Sequence, residues 1–388
     1  MVASRPNPAR RAAGTRRRRL AVLVWLIAAI AACDEPPAAL STVTPSDNQS
    51  LAVRRLQPHV WLSLGPYPVG NLGCIGGEIA WTSSTLEISK QNSRNDVIKV
   101  ASLSTPAARV VASAKHGGTL TDALPITGSW IVYLEYQQRN QSSSVDFWYL
   151  SAVDWTDGQM IGLASATAGP ALKELPWYDA ADGRAVWNQL DTVGLPILRI
   201  FDFTTHKSVK VPLPAAMLPV EPTISANSVV FVDNGTDPAR AEEDFFGRRG
   251  SLREFNLATH KLTTLSADPS AWMPRARGDE VVWTALSSSG SSRISAVRME
   301  GGQITSFGSN PVTPSTNGAI AVWYDSQELH FMEYGFAGHH MVELLVGSWS
   351  DIRSVFAFCG KRVFFALPPA VDGGSSTIRY VDLPAGQP

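Results

Sequence analysis

Three cysteines and seven histidines carry most of the covalent and metal-binding chemistry open to this 388-residue chain. The histidines are His59, His116, His206, His260, His330, His339 and His340. A metal site needs several nitrogen, sulfur or carboxylate donors gathered at one place. No two of these histidines stand at ligand spacing with a third donor near them. They read as solvated turn residues, and neither a metal nor a cofactor is expected. Asp233-x-Gly-x-Asp237 has the opening of a calcium loop without its remaining oxygen ligands. The sequence contains no Gly-x-Ser-x-Gly elbow, no His-Glu-x-x-His helix and no phosphate loop. No catalytic residue is assigned. The Arg277-Gly278-Asp279 triplet falls in a turn that recurs along the chain, so it reads as a coincidence rather than an adhesion motif.

Cys33 closes the stretch "RRAAGTRRRRLAVLVWLIAAIAAC". A basic region ends at Arg19, an apolar run covers Leu20 to Ala32, and small residues precede the cysteine. The run is shorter than the roughly 20 residues that span a bilayer, but it suits the apolar core of a secretory signal. Ile30-Ala31-Ala32-Cys33 resembles the bacterial lipobox, in which the cysteine is acylated and becomes the new N-terminus. Residues 1–32 are therefore expected to be a lipoprotein signal peptide, with Cys33 lipidated. An ordinary signal peptide with a cysteine nearby is the alternative. Two or three acyl chains anchor stably where one is marginal. Thr15-Arg16-Arg17 followed by Leu20 resembles a twin-arginine signal, so Sec and twin-arginine export both stay open. Residues 33–54 are rich in Pro, Ser and Thr and read as a flexible tether. The expected address is a bacterial cell envelope, with the protein anchored to a membrane and facing periplasm or exterior.

The formal net charge of −1 hides an asymmetry. Seven arginines and no acid lie in the first 32 residues; without them 26 basic residues face 34 acidic ones, a net of −8. Nucleic-acid binding needs clustered cations for counterion release, and this balance excludes it.

Residues 55–388 repeat one strand: "GGEIAWTSS" at Gly76, "GSWIVYLEY" at Gly128, "GDEVVWTAL" at Gly278, "GAIAVWYDS" at Gly318, "GKRVFFALP" at Gly360. The terminal aromatics Trp81, Tyr133, Trp187, Phe231, Trp283, Trp323 and Phe365 lie 52, 54, 44, 52, 40 and 42 residues apart. Periods of about 40 to 50 residues built on strands mark a β-propeller with one four-stranded blade per repeat. A turn glycine precedes most of the aromatics; the fourth repeat has Asn227 there, the other residue that reaches positive φ at low cost. "FDFTTHKSVKV" from Phe201 and "FNLATHKLTTL" from Phe255 share a Thr-His-Lys turn. The last unit ends after its third strand, while a spare strand lies at Gln57 to Gly65. The expected fold is all-β, a seven-bladed β-propeller closed by that N-terminal strand pairing into the last blade. Six or eight blades are the alternatives.

The repeat "GAIAVWYDSQELHFMEY" from Gly318 resembles the units of TolB-like bacterial β-propellers: a turn glycine, an apolar strand ending on Trp323 with Asp325 nearby, then a strand ending in acidic and aromatic residues. The resemblance implies a propeller fold, an envelope address and a role in envelope protein contacts.

Cys74 and Cys359 lie in the first strands of blades one and seven, which are neighbours in a closed ring. Cys74 is two residues before Gly76 and Cys359 one before Gly360, and a one-residue offset turns a strand side chain to the other face. In an exported protein this placement suits a disulfide across the seam; two buried thiols are the alternative. The loops between second and third strands vary most, and the longest runs from Asp233 to Gly250. It carries Phe245 and Phe246 between Glu242, Glu243, Asp244 and Arg248, Arg249. Apolar pairs at loop tips either pack back or meet a partner, so these seven residues are the partner-binding candidates. The expected function is a membrane-tethered, non-catalytic monomer that binds a protein or cell-wall component through its loop face. The alternative is a hydrolase or lyase with a site at the mouth of the central channel.

Overall fold

A computed structural model describes residues 58–64, 69–84, 96–138, 145–169, 172, 175–235, 249–286, 291–299, 304–307, 312–324, 329–333, 341–344, 356–367 and 375–383. The signal region, Cys33 and the tether lie outside the described residues. Among the described residues all regular structure of any length is strand. β1 (His59–Ser63) comes first in the chain. A four-stranded meander follows, β2 (Val69–Ile75), β3 (Glu78–Ser84), β4 (Asp96–Ser102) and β5 (Arg109–Ser113). A second meander has β6 (Thr119–Ile126), β7 (Trp130–Gln138), β8 (Val145–Asp154) and β9 (Met160–Ala166). The third has β10 (Tyr178–Ala181), β11 (Arg184–Leu190), β12 (Pro196–Asp202) and β13 (Lys207–Lys210).

The next sheet has seven strands: β14 (Pro219–Ser225), β15 (Ser228–Asp233), β16 (Gly250–Asn256), β17 (Leu262–Arg277), β18 (Glu280–Leu286), β19 (Ser292–Arg298) and β20 (Thr305–Phe307). The fourth strand of one meander and the first of the next were expected to be separate, yet β17 is both. Its early residues pair with β16 and Trp272 to Arg277 pair with β18. Ser270 donates to Asp268 through both its amide (2.9 Å) and its hydroxyl (2.6 Å). This local kink bends the strand around Pro269 without ending it. β21 (Val312–Thr316), β22 (Ile320–Tyr324), β23 (Leu329–Glu333) and β24 (Met341–Leu344) form another meander. The last sheet is β25 (Ala357–Cys359), β26 (Arg362–Leu367) and β27 (Thr377–Asp382), with β1 antiparallel to β27 from His59↔Tyr380 to Ser63↔Thr377.

First strands contact one another in sequence: β2 with β6, β6 with β10, β10 with β14, β14 with β17, and β17 with β21, while β2 also contacts β25. They therefore surround a common axis, and the later strands of each meander lie progressively outward. Second strands have both faces covered: β15 is buried at every residue, and β3 and β18 at all but one.

Alternation decides what each face meets. The aromatics picked out by the sequence pitch face the preceding sheet. Trp187 packs with Val132 and Trp148, Phe231 with Val186 and Leu198, and Trp283 with Val230 and Leu252. The residue just before each aromatic faces the following sheet: Ala80 lies with Ile131 and Tyr133, and Val322 with Val363 and Phe365. A large ring thus fills the space left by a small or β-branched neighbour, as close packing requires. The exception is Phe364, large where the others are small, at the contact between the last and first sheets. There Trp61 of β1 meets Trp81 (6.3 Å between centroids) and Phe364 (5.6 Å) edge-on.

Positive φ occurs as expected at turn glycines such as Gly278 (φ 58), but Asn227 does not adopt it. The Ala226–Asn227 turn is held from outside instead. Arg184 donates to the Ala226 carbonyl (2.6 Å), and the Asn227 carbonyl accepts from the Leu257 amide (2.8 Å). The shared Thr-His-Lys turns have a common cause. Asp202 and Asn256 each accept two backbone amides and a threonine hydroxyl, which leaves His206 (φ 52) and His260 (φ 56) in the left-handed region.

Cys74 and Cys359 are disulfide-bonded, with Cα atoms 5.6 Å apart and a sequence separation of 285. They join β2 to β25 at the same contact as Trp61. In the chain-entropy model a loop of that length corresponds to about 5 kcal/mol. Reduction should therefore lower the thermal midpoint by several degrees, and peptide mapping without reductant should recover the two cysteines as one linked pair. Alkylation of both thiols in unreduced protein would contradict the bridge.

Candidate functional site

The connections between meanders leave the fold at the same end as the loops joining second to third strands, and buried polar side chains brace that end. Glu135, near the end of β7, accepts the amides of Lys115 (3.1 Å), His116 (2.7 Å) and Gly118 (3.2 Å). Asn188 of β11 accepts the Trp177 amide through its side chain (2.7 Å) and donates its own amide to the Trp177 carbonyl (3.0 Å). Asp233 closes β15 by accepting the amides of Leu218 and Gly235 (both 3.3 Å), with Arg253 3.5 Å away. Asp96 accepts the Leu120 amide across to the next meander (2.9 Å). Each carboxylate or amide replaces the water that a crossing loop's backbone would otherwise need. The result is a rim whose crossing segments are held by buried side chains.

The longest of those loops leaves from Asp233 and returns at Gly250. A Cβ at Gly250 would sit 2.1 Å from the Asp233 carbonyl oxygen, so only glycine closes the base of the loop. Of the seven partner-binding candidates, Glu242, Glu243, Asp244, Phe245, Phe246 and Arg248 lie outside the described residues. Arg249 is half-buried, with its guanidinium 4.8 Å over the Trp272 ring. Asp237 of the calcium-like stretch also lies outside, and Asp233 is engaged as above.

A second polar group lies on the axis, on first strands, where sequence spacing gave no sign of it. In β6, β14 and β17 a one-residue bulge places Asp122 (φ 55), Glu221 (φ 50) and Met273 (φ 51) in the left-handed region. Such backbone persists where the surroundings over-determine it. Glu221 accepts the Met273 amide, which ties β14 to β17. One level along, Asp179 of β10 forms a forked pair with Arg277 of β17, at 2.8 and 2.9 Å. The same carboxylate accepts the Thr223 hydroxyl (2.6 Å) and the Ile224 amide (3.1 Å), while Thr223 accepts the Ala276 amide (3.0 Å). One carboxylate thus connects three successive meanders. Arg277, the arginine of the Arg-Gly-Asp triplet, is turned inward for this purpose.

Burial alone would raise the Asp179 pKa, but the charge and hydrogen bonds of Arg277 overcome it and hold the carboxyl at about 2. Asp122 goes the other way. Burial pushes its pKa up, only partly offset by the Tyr178 hydroxyl and the charge of Arg275. Its Oδ1 has no hydrogen-bond partner. Tyr178 donates to the Thr121 carbonyl (3.1 Å), and burial followed by the Asp122 charge lifts its pKa well above the usual tyrosine value. Among the described residues no group of three or more His, Cys, Asp or Glu side chains is disposed to hold a metal ion.

His206 and His260 are in turns as expected and His116 is in a bend, whereas His59 and His330 lie within the strands β1 and β23; several of the rings make contacts. His116 stacks on Tyr149 (4.1 Å) and His260 on Phe255 (5.9 Å), while His59 is tilted against Tyr380 (5.3 Å). His339 and His340 lie outside the described residues.

Meanders radiating from a ring of first strands define a β-propeller, and that is the class of this chain. No family model matches the sequence, and no curated protein matches it. Solved structures do. The chain is similar to an oligogalacturonate lyase from Vibrio parahaemolyticus at 12% identity, over 89% of this chain and 96% of that one, with a TM-score of 0.55. It is similar to the β-propeller domain of the Trilobed protease from Pyrococcus furiosus at 8% identity, over 84% and 95%, with a TM-score of 0.54. TolB from Acinetobacter baumannii is similar at 10% identity and a TM-score of 0.45; the match covers 81% of this chain and 66% of TolB. The first two likenesses, with TM-scores above 0.5, show a shared fold alone.

The Asp179–Arg277 pair gives acid stability a definite sign. A carboxyl with a depressed native pKa stabilises the fold above its unfolded pKa and loses that contribution as pH falls through the native value. The window here runs from about pH 4 down to about pH 2 and is worth about 2 kcal/mol. Asp179→Asn should cost about 1–3 kcal/mol at pH 7, because the half-buried Arg277 loses its ionic partner and keeps only backbone carbonyls. The loss of stability between pH 4 and pH 2, measured by urea unfolding, should also be shallower in that variant than in wild type. Equal acid slopes would remove the pair from this role.

Proposed function

We propose that the chain is a lipid-tethered, seven-bladed propeller that binds a protein or cell-envelope component through its loop face, as a monomer and without chemistry on the ligand. The braced rim carries this reading. Glu135, Asn188 and Asp233 fix the crossing segments, so the framework at that end is ordered before binding, which lowers the entropy lost on association. The blade count is supported by the seam clusters and by the two roles of β17, which divide the seven-stranded sheet into two blades. Pairing of β1 with β27 supports closure by the N-terminal strand, a device that leaves no raw edge on the last blade. The disulfide supports export, since such bonds persist in oxidising compartments. Lipidation rests on Cys33 and its preceding apolar run.

One observation favours a second reading, a hydrolase or lyase acting at the channel. Asp122 keeps its proton to higher pH than an ordinary aspartate and stands beside Tyr178 and Arg275 on the axis. A buried carboxylic acid of this kind is a suitable proton donor.

Two experiments test the first reading. Cys33→Ala should release the protein from membranes or leave it as unprocessed precursor; a membrane-bound product of mature size would sink the anchor. For the loop face, Phe245→Ala with Phe246→Ala should leave the melting midpoint nearly unchanged and reduce co-purification of envelope partners from detergent extract. Phe231→Ala, which empties a seam, should instead cost about 3–5 kcal/mol of stability. If the double variant unfolds as readily as Phe231→Ala, the two phenylalanines belong to the core.

A further inference from the structure

The bulged first strands share a polar device, and one of them carries it without its use. A bulge takes a backbone amide out of its ladder. In β17 that amide belongs to Met273, and it is accepted by Glu221, which occupies the bulge of the preceding first strand, β14. Asp122 holds the same bulge position in β6. The first strand after it, β10, runs in unbroken register from Tyr178↔Trp187 to Ala181↔Arg184. No bulge amide is presented there for Asp122 to accept. Tyr178 stands in that place instead, with its hydroxyl on the Thr121 carbonyl (3.1 Å).

Asp122 thus has the position of Glu221 without its task. Its Oδ1 is closed to water and has no partner, while the residue as a whole is half-buried. The carboxyl is sealed on one side and open on the other. An oxygen sealed without a donor holds negative charge poorly, so the acid form is favoured and can offer an O–H on the open side.

Arg275 is the complement. Two residues further along β17, Arg277 closes its fork on Asp179. Arg275 donates to the carbonyl of its neighbour Pro274 (3.0 Å), and among the described residues it pairs with no carboxylate. Its charge nevertheless acts on both Asp122 and Asp179. The strands β10 and β14 stand between β6 and β17 in the ring, so a guanidinium felt by both acids reaches in over the axis and not into a seam. Like Asp122 it is only half-buried.

We propose that Asp122 and Arg275 bind the carboxylate group of a small molecule on the propeller axis. The guanidinium takes the group in a fork, and the Asp122 acid donates a further hydrogen bond to it. One cation and one neutral acid match a single negative charge. A phosphate, with nearly two charges at neutral pH, would call for a second cation, and Arg277 is already committed to Asp179. The inference goes beyond the loop-face reading and is independent of it, since both groups lie on inner strands.

The groups acting on Asp122 are Tyr178 and Asp179 of β10 and Arg275 of β17. On the other strands packed against β6, Glu135 of β7 and Asp96 of β4 are held by amides, and β2 contributes only the bridged Cys74. Binding that needs the Asp122 proton therefore weakens as pH rises through the titration of that one group.

The test is fluorine NMR of the full chain with three probes: trifluoroacetate, which stays ionised throughout, neutral trifluoroacetamide, and monofluorophosphate. Trifluoroacetate should bind about tenfold or more tightly than either of the others. Its affinity for wild type should fall several-fold between about pH 5 and pH 8. Arg275→Gln should weaken it by about tenfold. Asp122→Ala should weaken it several-fold, whereas Asp122→Asn, which keeps a donor of the same shape, should stay within about threefold of wild type and lose the pH dependence. Trifluoroacetate bound no better than trifluoroacetamide overturns the site, and monofluorophosphate bound as tightly overturns its assignment to carboxylates. A flat wild-type pH profile removes Asp122 as the donor and overturns the proposal without any variant. Because no probe touches the anchor or the loop from Asp233 to Gly250, these outcomes leave the envelope-binding reading where it stands.

Discussion

The fold depends on one constraint: the second strands are buried on both faces over most of their length, so their central residues must each fit a neighbour on one side or the other. A two-layer sandwich hides one face of each sheet and lets the other meet water. Here the sheets stand edge-on around an axis, and a residue that suits one neighbour says nothing about the next. The alternation of a large ring with a smaller residue solves the problem locally. Trp187 leans back onto Val132 while Val186 leaves room for Phe231 ahead. Each contact is thus specified by two adjacent positions on one strand and two on the next. The contact between the last and first sheets breaks the rule with Phe364 and compensates with Trp61, Trp81 and a disulfide.

Polar burial follows from the same arrangement. Loops that cross between sheets at the rim and bulged strands near the axis both carry backbone groups away from water. Glu135 and Asp233 satisfy the first kind, Asp179, Glu221 and Thr223 the second. The forked pair of Asp179 with Arg277 is more than local repair, because it skips a meander and fixes three inner strands relative to one another. Asp122 is the counter-case, a buried carboxyl with one oxygen unpartnered. It is the residue on the axis whose presence stability alone does not explain.

Much of the architecture was legible because it is periodic. The pitch of the aromatics located every second strand, and the offset between Cys74 and Cys359 located a contact between residues 285 apart. The spare strand at His59 was legible from the missing fourth strand at the other end. What stayed hidden has no period. Asp179 and Arg277 are 98 residues apart and unremarkable in their own strands. The bulges at Asp122, Glu221 and Met273 share no residue type, since a neighbouring strand rather than a local preference holds their backbone. Asn227 misled for the same reason, its turn being pinned by Arg184 from another sheet. The double role of β17 was invisible because a proline and a polar pair look like a break and here make only a bend. The candidate residues from Glu242 to Arg248 were read from composition alone.

The pairing of His59 to Ser63 with Thr377 to Tyr380 sets the order of events when the protein is made. A strand synthesised among the first cannot find its partner until nearly the last residue has emerged. Intermediate lengths carry an unpaired β27 position and an uncovered Trp61, so growing chains present sticky surface for most of their synthesis. Contacts of such long sequence separation form slowly, because loop closure must be achieved before they contribute. The bond between Cys74 and Cys359 likewise waits for residues near the end of the chain, so the pairing of β1 and the disulfide both come late.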